Sequence, residues 1–357
     1  MHTFMDSFTN YEAWLKREIG NELFQKDLDE KHRKMKSGTF PFLRATYWRW
    51  AETILEICPE FNELPEVLSI GDTHLENFGT WRDVEGRLVW GANDFDDAAK
   101  MPYILDVVRL GVSAVLARAN EAASVRDICQ AIMDGYRNGR TKPEPIILDK
   151  EHAGLREALV LKEHEREKFW AKLEKAEEEV RGTQPTYEFA LQDALPDVPF
   201  SLARRSAGTG SLGRPRFVGM AKWRGGYVVR EAKRLVQSAW CLAHRPDDRG
   251  IYAEVVAKGR QRSPDPHYMV TNSIVVRRLS PNSRKIDVED DPELMLSRDM
   301  LVRMGEEIAN CHTDDTNFAA AAEDFDRRDG EWLRSAVKKI VPIIKADHEE
   351  FVQKFVI

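Results

Sequence analysis

Ile70-Gly-Asp-Thr-His-Leu-Glu-Asn-Phe-Gly79, followed by Ala92-Asn-Asp-Phe-Asp-Asp-Ala98, decides how the rest of the chain is read. Acidic and amide side chains recur there between apolar residues: Asp72, then Asn77 five positions on, then Asp94 and Asp96 after the strand-like Leu88-Val-Trp90. Val67-Leu-Ser-Ile70 reads as a short buried strand feeding Asp72, and Arg87-Leu-Val-Trp90 as a second feeding Asp94. Two carboxylates at consecutive strand ends can meet over one divalent metal, which takes hard oxygen ligands. Asp is also a common turn residue after a strand, but turn-making alone does not explain why the Asn and the second carboxylate arrive together.

The spacing resembles the protein-kinase catalytic loop, whose base Asp precedes a metal-binding Asn by five residues and whose following Asp-Phe-Gly supplies a second metal carboxylate. Asp94-Phe95-Asp96 is similar, with Asp in the Gly position. In that reading Asp72 accepts or orients the acceptor proton, and Asn77, Asp94 and Asp96 form the metal set. His74 belongs to the same catalytic loop; a hydrogen bond bracing the loop is favoured over metal ligation.

Length and composition set the frame. The 357 residues suit one large or two modest domains, and 42% hydrophobic with 32% charged residues fits a soluble globular chain. A net charge of -7 disfavours a general nucleic-acid binder. Cys58, Cys129, Cys241 and Cys311 make no C-x-x-C pair, so neither a zinc ribbon nor a disulfide framework is expected. With no signal-like N-terminus and no apolar run of spanning length, a cytoplasmic protein with no membrane partner is expected.

In chain order, residues 6–36 are helix-prone, and the charge-rich stretch 25–36 reads as a solvated face. Arg44, in the aromatic stretch before the Asp72 strand, is able to pair with phosphate or with Asp72, or to sit on the surface. Ile104–Leu116 is apolar on most sides, a buried helix. A carboxylate inside such a helix must be hydrogen-bonded, so Asp106 is expected to brace the Asp72 loop, or to pair with Arg109. Residues 121–182 read as helical, with 163–181 largely solvent-facing, and the breakers Gly182–Pro185 and Leu195–Pro199 as a domain boundary.

Beyond the boundary the character changes. Gly208-Thr-Gly-Ser-Leu-Gly213 completes a G-x-G-x-x-G, followed by strand-like Arg216–Met220, a turn at Arg224–Gly226 and strand-like Tyr227–Lys233. In a dinucleotide fold such glycines open a helix; Pro215 and the Gly-Gly turn favour a β-hairpin instead. A glycine-rich hairpin followed by a strand ending in lysine is how kinases cover and clamp nucleotide phosphates. Arg230 and Lys233 compete for the phosphate position, and an alternating strand points them to opposite faces. Glu254 is the acidic partner proposed for Lys233, with a solvent-facing role as the alternative. Ser273–Leu279 is expected to be the sheet edge where adenine meets backbone. Of the basic residues from Arg204 to Arg234, phosphate binding, polyanion contact and plain solvation are all open, solvation being expected for most.

Gly-Asp-x-His-Leu-x-Asn-Phe-Gly at 71–79, Asn-Asp-Phe-Asp at 93–96, the glycines of 208–213, Arg-Glu-Ala-Lys at 230–233 and a late helix ending in His312 together resemble the bacterial domain-of-unknown-function family 2252. That family is regarded as a distant relative of the aminoglycoside and choline phosphotransferases. The resemblance covers roughly residues 38–315. It implies an α+β, two-lobed protein-kinase-like fold with a mostly helical large lobe and a small antiparallel β lobe. It also implies ATP and Mg as cofactors, Asp72 as base, Asn77 and Asp94 as magnesium ligands, Gly208, Gly210 and Gly213, with Ser211 between them, as the phosphate loop, and Lys233 as the phosphate lysine. The block order is inverted relative to an ordinary kinase, and Met304–His312 resembles the helix that normally leads into the catalytic loop, so a circular permutation is expected. The lobes then run 1–182 (helical, with the catalytic loops), 183–280 (β-rich, nucleotide-binding) and 281–357 (helices returning to the first lobe). The expected function is phosphoryl transfer to a small-molecule or protein hydroxyl, with nucleotidyl transfer or a non-catalytic nucleotide-binding pseudokinase as alternatives; a metallophosphoesterase built on Asp72-x-His74 is counted against by the glycine hairpin.

Overall fold

The protein is described by a computed structural model over residues 2–118, 123–177 and 184–355. Ten strands lie among these residues: β1 (Glu66–Ser69), β2 (Phe78–Arg82), β3 (Leu88–Ala92), β4 (Ala99–Pro102), β5 (Ile146–Ile147), β6 (Phe200–Arg204), β7 (Arg216–Trp223), β8 (Gly226–Arg234), β9 (Met269–Thr271) and β10 (Ile274–Arg278). They form three antiparallel sheets, β1-β4, β2-β3-β5 and β6-β7-β8-β10-β9, within a mostly helical chain of α+β class.

The helix Ile104–Ala117 is the centre of the main core, with twelve consecutive residues from Ile104 to Val115 buried. Around it pack the helices Thr39–Ala45, Val125–Thr141, Arg298–His312 and Trp332–Lys354. Two of these helices begin where a side chain takes up a free backbone N–H: Ser124 accepts from Asp127 N (3.1 Å) and Ser297 from Met300 N (3.3 Å). Val125–Thr141 and Arg298–His312 cross almost backbone to backbone. A Cβ on Gly135 would overlap the Val302 carbonyl, and one on Gly305 would overlap that of Ile132. These glycines set how deeply the two helices interlock.

The five-stranded sheet is covered on both faces. Period-two alternation sends Phe217, Ala221, Ala232, Ile274 and Val276 to one face, against Tyr187 and Leu191 of the helix Pro185–Ala194. Val218, Met220 and Val229 point the other way, against Phe169, Trp170 and Leu173 of the helix Glu163–Glu177. Burial of each such Leu, Val or Phe contributes about 1.5–3 kcal/mol. The β7–β8 turn has Arg224 and Gly225 both at positive φ (47° and 86°), the two-residue geometry whose twist suits a hairpin.

Three sequence expectations are corrected. The stretch 121–182 is not continuously helical: Thr141 ends one helix, β5 intervenes, and Ala153–Leu159 and Glu163–Glu177 follow as separate helices. Glu163–Glu177 is largely solvent-facing as expected, with Leu173 buried and Phe169 and Trp170 partly buried against the sheet. The charged helix Gln25–Ser37 buries Asp27, Leu28, Lys31, His32 and Met35. Finally, β10 is not a sheet edge; it lies between β8 and β9. The expected boundary at Gly182 and Thr183 lies outside the described residues. The four cysteines are free and buried, and among the described residues no helix is long and apolar enough to cross a membrane.

Candidate functional site

The Asp72 loop is held by a buried carboxylate. Asp106 accepts from Ile70 N (2.8 Å), Gly71 N (2.9 Å) and Thr73 Oγ1 (2.9 Å). Gly71 sits at φ +92°, and a Cβ there would overlap the Asp97 carbonyl, so only glycine lets the loop pass so close to the second acidic turn. Asp106 thus braces the loop as expected, while Arg109, one turn along the same helix, takes Asp72: its Nε donates to Asp72 Oδ1 at 2.8 Å. The opposite carboxylate oxygen faces the glycine segment, since a Cβ on Gly210 would lie 3.5 Å from Asp72 Oδ2. Burial raises the Asp72 carboxyl, only partly opposed by Arg109, and the net shift is upward.

Asn77 joins the two acidic turns. Its Nδ2 donates to the Asp72 carbonyl (3.3 Å) and to the Asp94 carbonyl (3.1 Å), leaving Oδ1 buried and without a hydrogen-bond partner. Asp94 Oδ1 lies 3.2 Å from Lys233 Nζ. Burial pushes the Asp94 carboxyl up, but Lys233 and Lys285 outweigh it and hold it well below the usual range. Asp96 also pairs with Lys233, and lies 3.6 Å from Arg214. Burial and the neighbouring Asp94 raise it to about 6. Asp96 is thus engaged by two cations, one of which it shares with Asp94. Burial, then Arg44 and Lys285, keeps His74 well below its usual value and neutral. The loop-bracing hydrogen bond expected from its ring is not made by Nδ1, which has no partner; the His74 carbonyl braces the loop instead, accepting from Asn77 N at 2.9 Å.

The glycine segment arches from β6 to β7 over these groups. Gly208 and Gly210, with Thr209 and Ser211, line a small polar pocket of ≈ 50 Å³ together with Asp72, His74, Asn77, Asp94 and Asp96. Ser211 Oγ accepts from Arg216 at 2.7 Å. Gly213, at φ +95°, faces Leu28 and accepts from Phe24 N, so it fixes the segment to the start of the helix Gln25–Ser37 and does not line the pocket. A larger cavity of ≈ 370 Å³ adjoins, sharing Arg44, Asp94, Gly208 and Lys285, with Phe95, Tyr268 and Leu279 among its apolar walls.

Strand register places Lys233 and Arg230 on opposite faces of the sheet. Lys233 pairs across with Arg216 and Val275, on the face that meets the acidic turns, whereas Arg230 shares a face with Ala232 and donates to the Val229 carbonyl. The proposed Glu254–Lys233 pair is not made. Glu254 pairs with Lys258 and accepts from Val270 N at 2.8 Å, because its short helix, Ala253–Ala257, turns it toward β9. Arg44 pairs with Glu76. Three contributors carried no sequence signal: Lys285, whose Nζ is 3.3 Å from the Glu76 carbonyl; Lys31, whose Nζ is 3.1 Å from the Gly210 carbonyl; and Arg277. Each arrives from an element far away in the chain. His312, at the end of the helix Arg298–His312, is fully buried, with Nε2 3.0 Å from Asp106 Oδ2 and Nδ1 3.0 Å from Tyr136 Oη.

Among the described residues no group of three or more His, Cys, Asp or Glu is arranged to hold a metal ion. Asn77 Oδ1 and the Asp94 carboxylate nonetheless suit magnesium, which binds through one or two protein oxygens plus substrate phosphate and water. No curated protein and no solved structure matches the chain. Residues 24–186, carrying the Asp72 loop and the Asp94 turn but not the five-stranded sheet, match the sequence model of a family described as an uncharacterized protein conserved in bacteria, DUF2252.

Proposed function

We propose that the protein is an ATP- and magnesium-dependent phosphotransferase acting on a hydroxyl acceptor, on a circularly permuted, two-lobed kinase-like fold. The observation that carries this reading is the convergence on one pocket of Asp72, Asn77 and Asp94 beneath a glycine segment, with Lys233 from the sheet paired to Asp94. Asn77 Oδ1, buried without a partner, is the kind of oxygen a metal would complete. The permutation is supported at the helix Arg298–His312: Asp315, just past its end, accepts from Leu68 N of β1 at 2.9 Å, so the chain could be rejoined there with the catalytic loop directly following.

Magnesium, bound by Asp94 and Asn77, would neutralise phosphate charge. The remaining steps belong to the chain. Lys233 holds a phosphate oxygen and orients Asp94; the Gly208–Ser211 backbone approaches the phosphates where a Cβ would intrude. Asp72 Oδ2, with its partner oxygen fixed by Arg109, accepts the proton of the acceptor hydroxyl, and its raised pKa makes it a better proton acceptor than an ordinary Asp.

Isothermal titration of ATP, with and without magnesium, into the protein and its Asp94→Ala variant tests the proposal. Magnesium-dependent binding that the variant loses supports it. Absence of ATP binding by the unaltered protein refutes it.

A further inference from the structure

The face of the sheet that carries Lys233 also carries, two residues back along β8, the fully buried Glu231. Three guanidiniums converge on that one carboxylate. Arg216 donates at 3.1 Å, Arg277 from the neighbouring strand β10 at 2.8 Å, and Arg205 from the end of β6. Burial alone would raise the Glu231 carboxyl, but the three arginines outweigh it and hold it well below its usual range.

The other hydrogen bonds of these arginines go to neutral groups. Arg216 donates to Ser211 Oγ (2.7 Å) and Arg277 to the Asn93 carbonyl (3.1 Å). The nearby carboxylates do not redress the balance, because Asp94 and Asp96 are already matched by Lys233 and Arg214. One negative charge therefore faces three positive ones, and all three arginines line the ≈ 370 Å³ cavity. Guanidinium is the side chain suited to phosphate oxygens, through paired N–H donors.

We infer that Arg205, Arg216 and Arg277 form a second anion subsite, which takes a phosphate group of the ligand at a distance from the one held at Lys233. Glu231, the carboxylate the arginines surround, lies two residues, about 7 Å of strand, from Lys233, and Arg216 pairs directly across from Lys233, so a single polyphosphate chain can reach both. The inference deepens the phosphotransferase reading by giving the larger cavity a phosphate to hold, but the subsite's affinity for anions does not itself depend on the metal set. Two sources share this chemistry: the nucleotide's own phosphate chain, and a phosphorylated acceptor.

Titration of inorganic tripolyphosphate without magnesium is the test, with the unaltered protein, Arg205→Gln, Arg277→Gln and Glu231→Gln. Binding weakened at least about tenfold by either arginine substitution is expected, with Glu231→Gln tightening it several-fold because the neutralising carboxylate is gone. Arg205 is the safest site to alter, since its side chain is 31% exposed and its ion pair is with Glu231 alone. No binding of tripolyphosphate, arginine variants within twofold of the unaltered protein, or weaker binding by a folded Glu231→Gln would each overturn the inference. Competition by ATP would assign the subsite to the nucleotide, and simultaneous binding of ATP to a phosphorylated acceptor, both sustaining it. Asp94→Ala separates the two proposals: it is expected to lose magnesium-dependent ATP binding and keep tripolyphosphate binding.

Discussion

His312 Nε2 lies 3.0 Å from Asp106 Oδ2, joining residues 206 positions apart inside the core. The same carboxylate receives two backbone N–H groups and the Thr73 hydroxyl of the Asp72 loop. One buried Asp thus ties the end of the helix Arg298–His312 to the loop that carries Asp72. Asp106→Ala would leave these donors buried without acceptors, at about 1–3 kcal/mol each. Loss of at least ~3 kcal/mol in urea unfolding is expected, with a smaller loss for His312→Ala, which leaves the loop's bonds to Asp106 in place.

Lys31 gives a pH-dependent prediction. Burial, then Arg214, lowers its pKa from 10.5 to about 8. Below pH 8 Lys31 is charged in both folded and unfolded chains, and the penalty for burying the charge is felt in full. Between about 8 and 10.5 the folded protein gives up a proton that the unfolded chain keeps, so this contribution to stability rises with pH. The full change is on the order of 3 kcal/mol. Urea unfolding at several pH values is expected to give a shallower rise for Lys31→Met than for the unaltered protein; parallel curves would contradict the assignment.

The crossing of Val125–Thr141 and Arg298–His312 leaves no room for a methyl group. Gly135→Ala or Gly305→Ala forces backbone apart in a packed interior, where overpacking costs about 1–3 kcal/mol or more. A lowered thermal midpoint is expected for each. Gly154→Ala, at a helical position with open space, is expected to leave it unchanged or slightly raised.

Lys233 and Glu254 should behave as strangers. Lys233→Met frees Asp94 and Asp96 to repel one another and removes the proposed phosphate donor, so ATP affinity is expected to fall at least about tenfold, roughly the effect of one charged hydrogen bond. Glu254→Gln removes an exposed pair with Lys258 and is expected to change ATP affinity less than about twofold, as exposed pairs contribute little. Equal losses in the two variants would restore the pairing that the fold argues against.

The interval from Asp72 to Asn77, the second acidic turn at Asp94 and the glycine segment 208–213 are local patterns, and a linear sequence carries them in full. So is the burial of Ile104–Val115, because an apolar helix must be enclosed. That Lys233 and not Arg230 faces the acidic turns required the strand register, since alternation guarantees opposite faces without saying which one meets them. Glu254 was misread because the direction of a five-residue helix depends on what it packs against. Lys31, Lys285 and Arg277 reach the site from elements that the fold alone brings together, and a lone Lys or Arg in sequence carries no mark of its future neighbours. The sequence determined which residue types could bind phosphate and metal; the tertiary structure decided which of them share a pocket, because ionic and hydrogen-bond interactions act over ångströms of space and not along the chain.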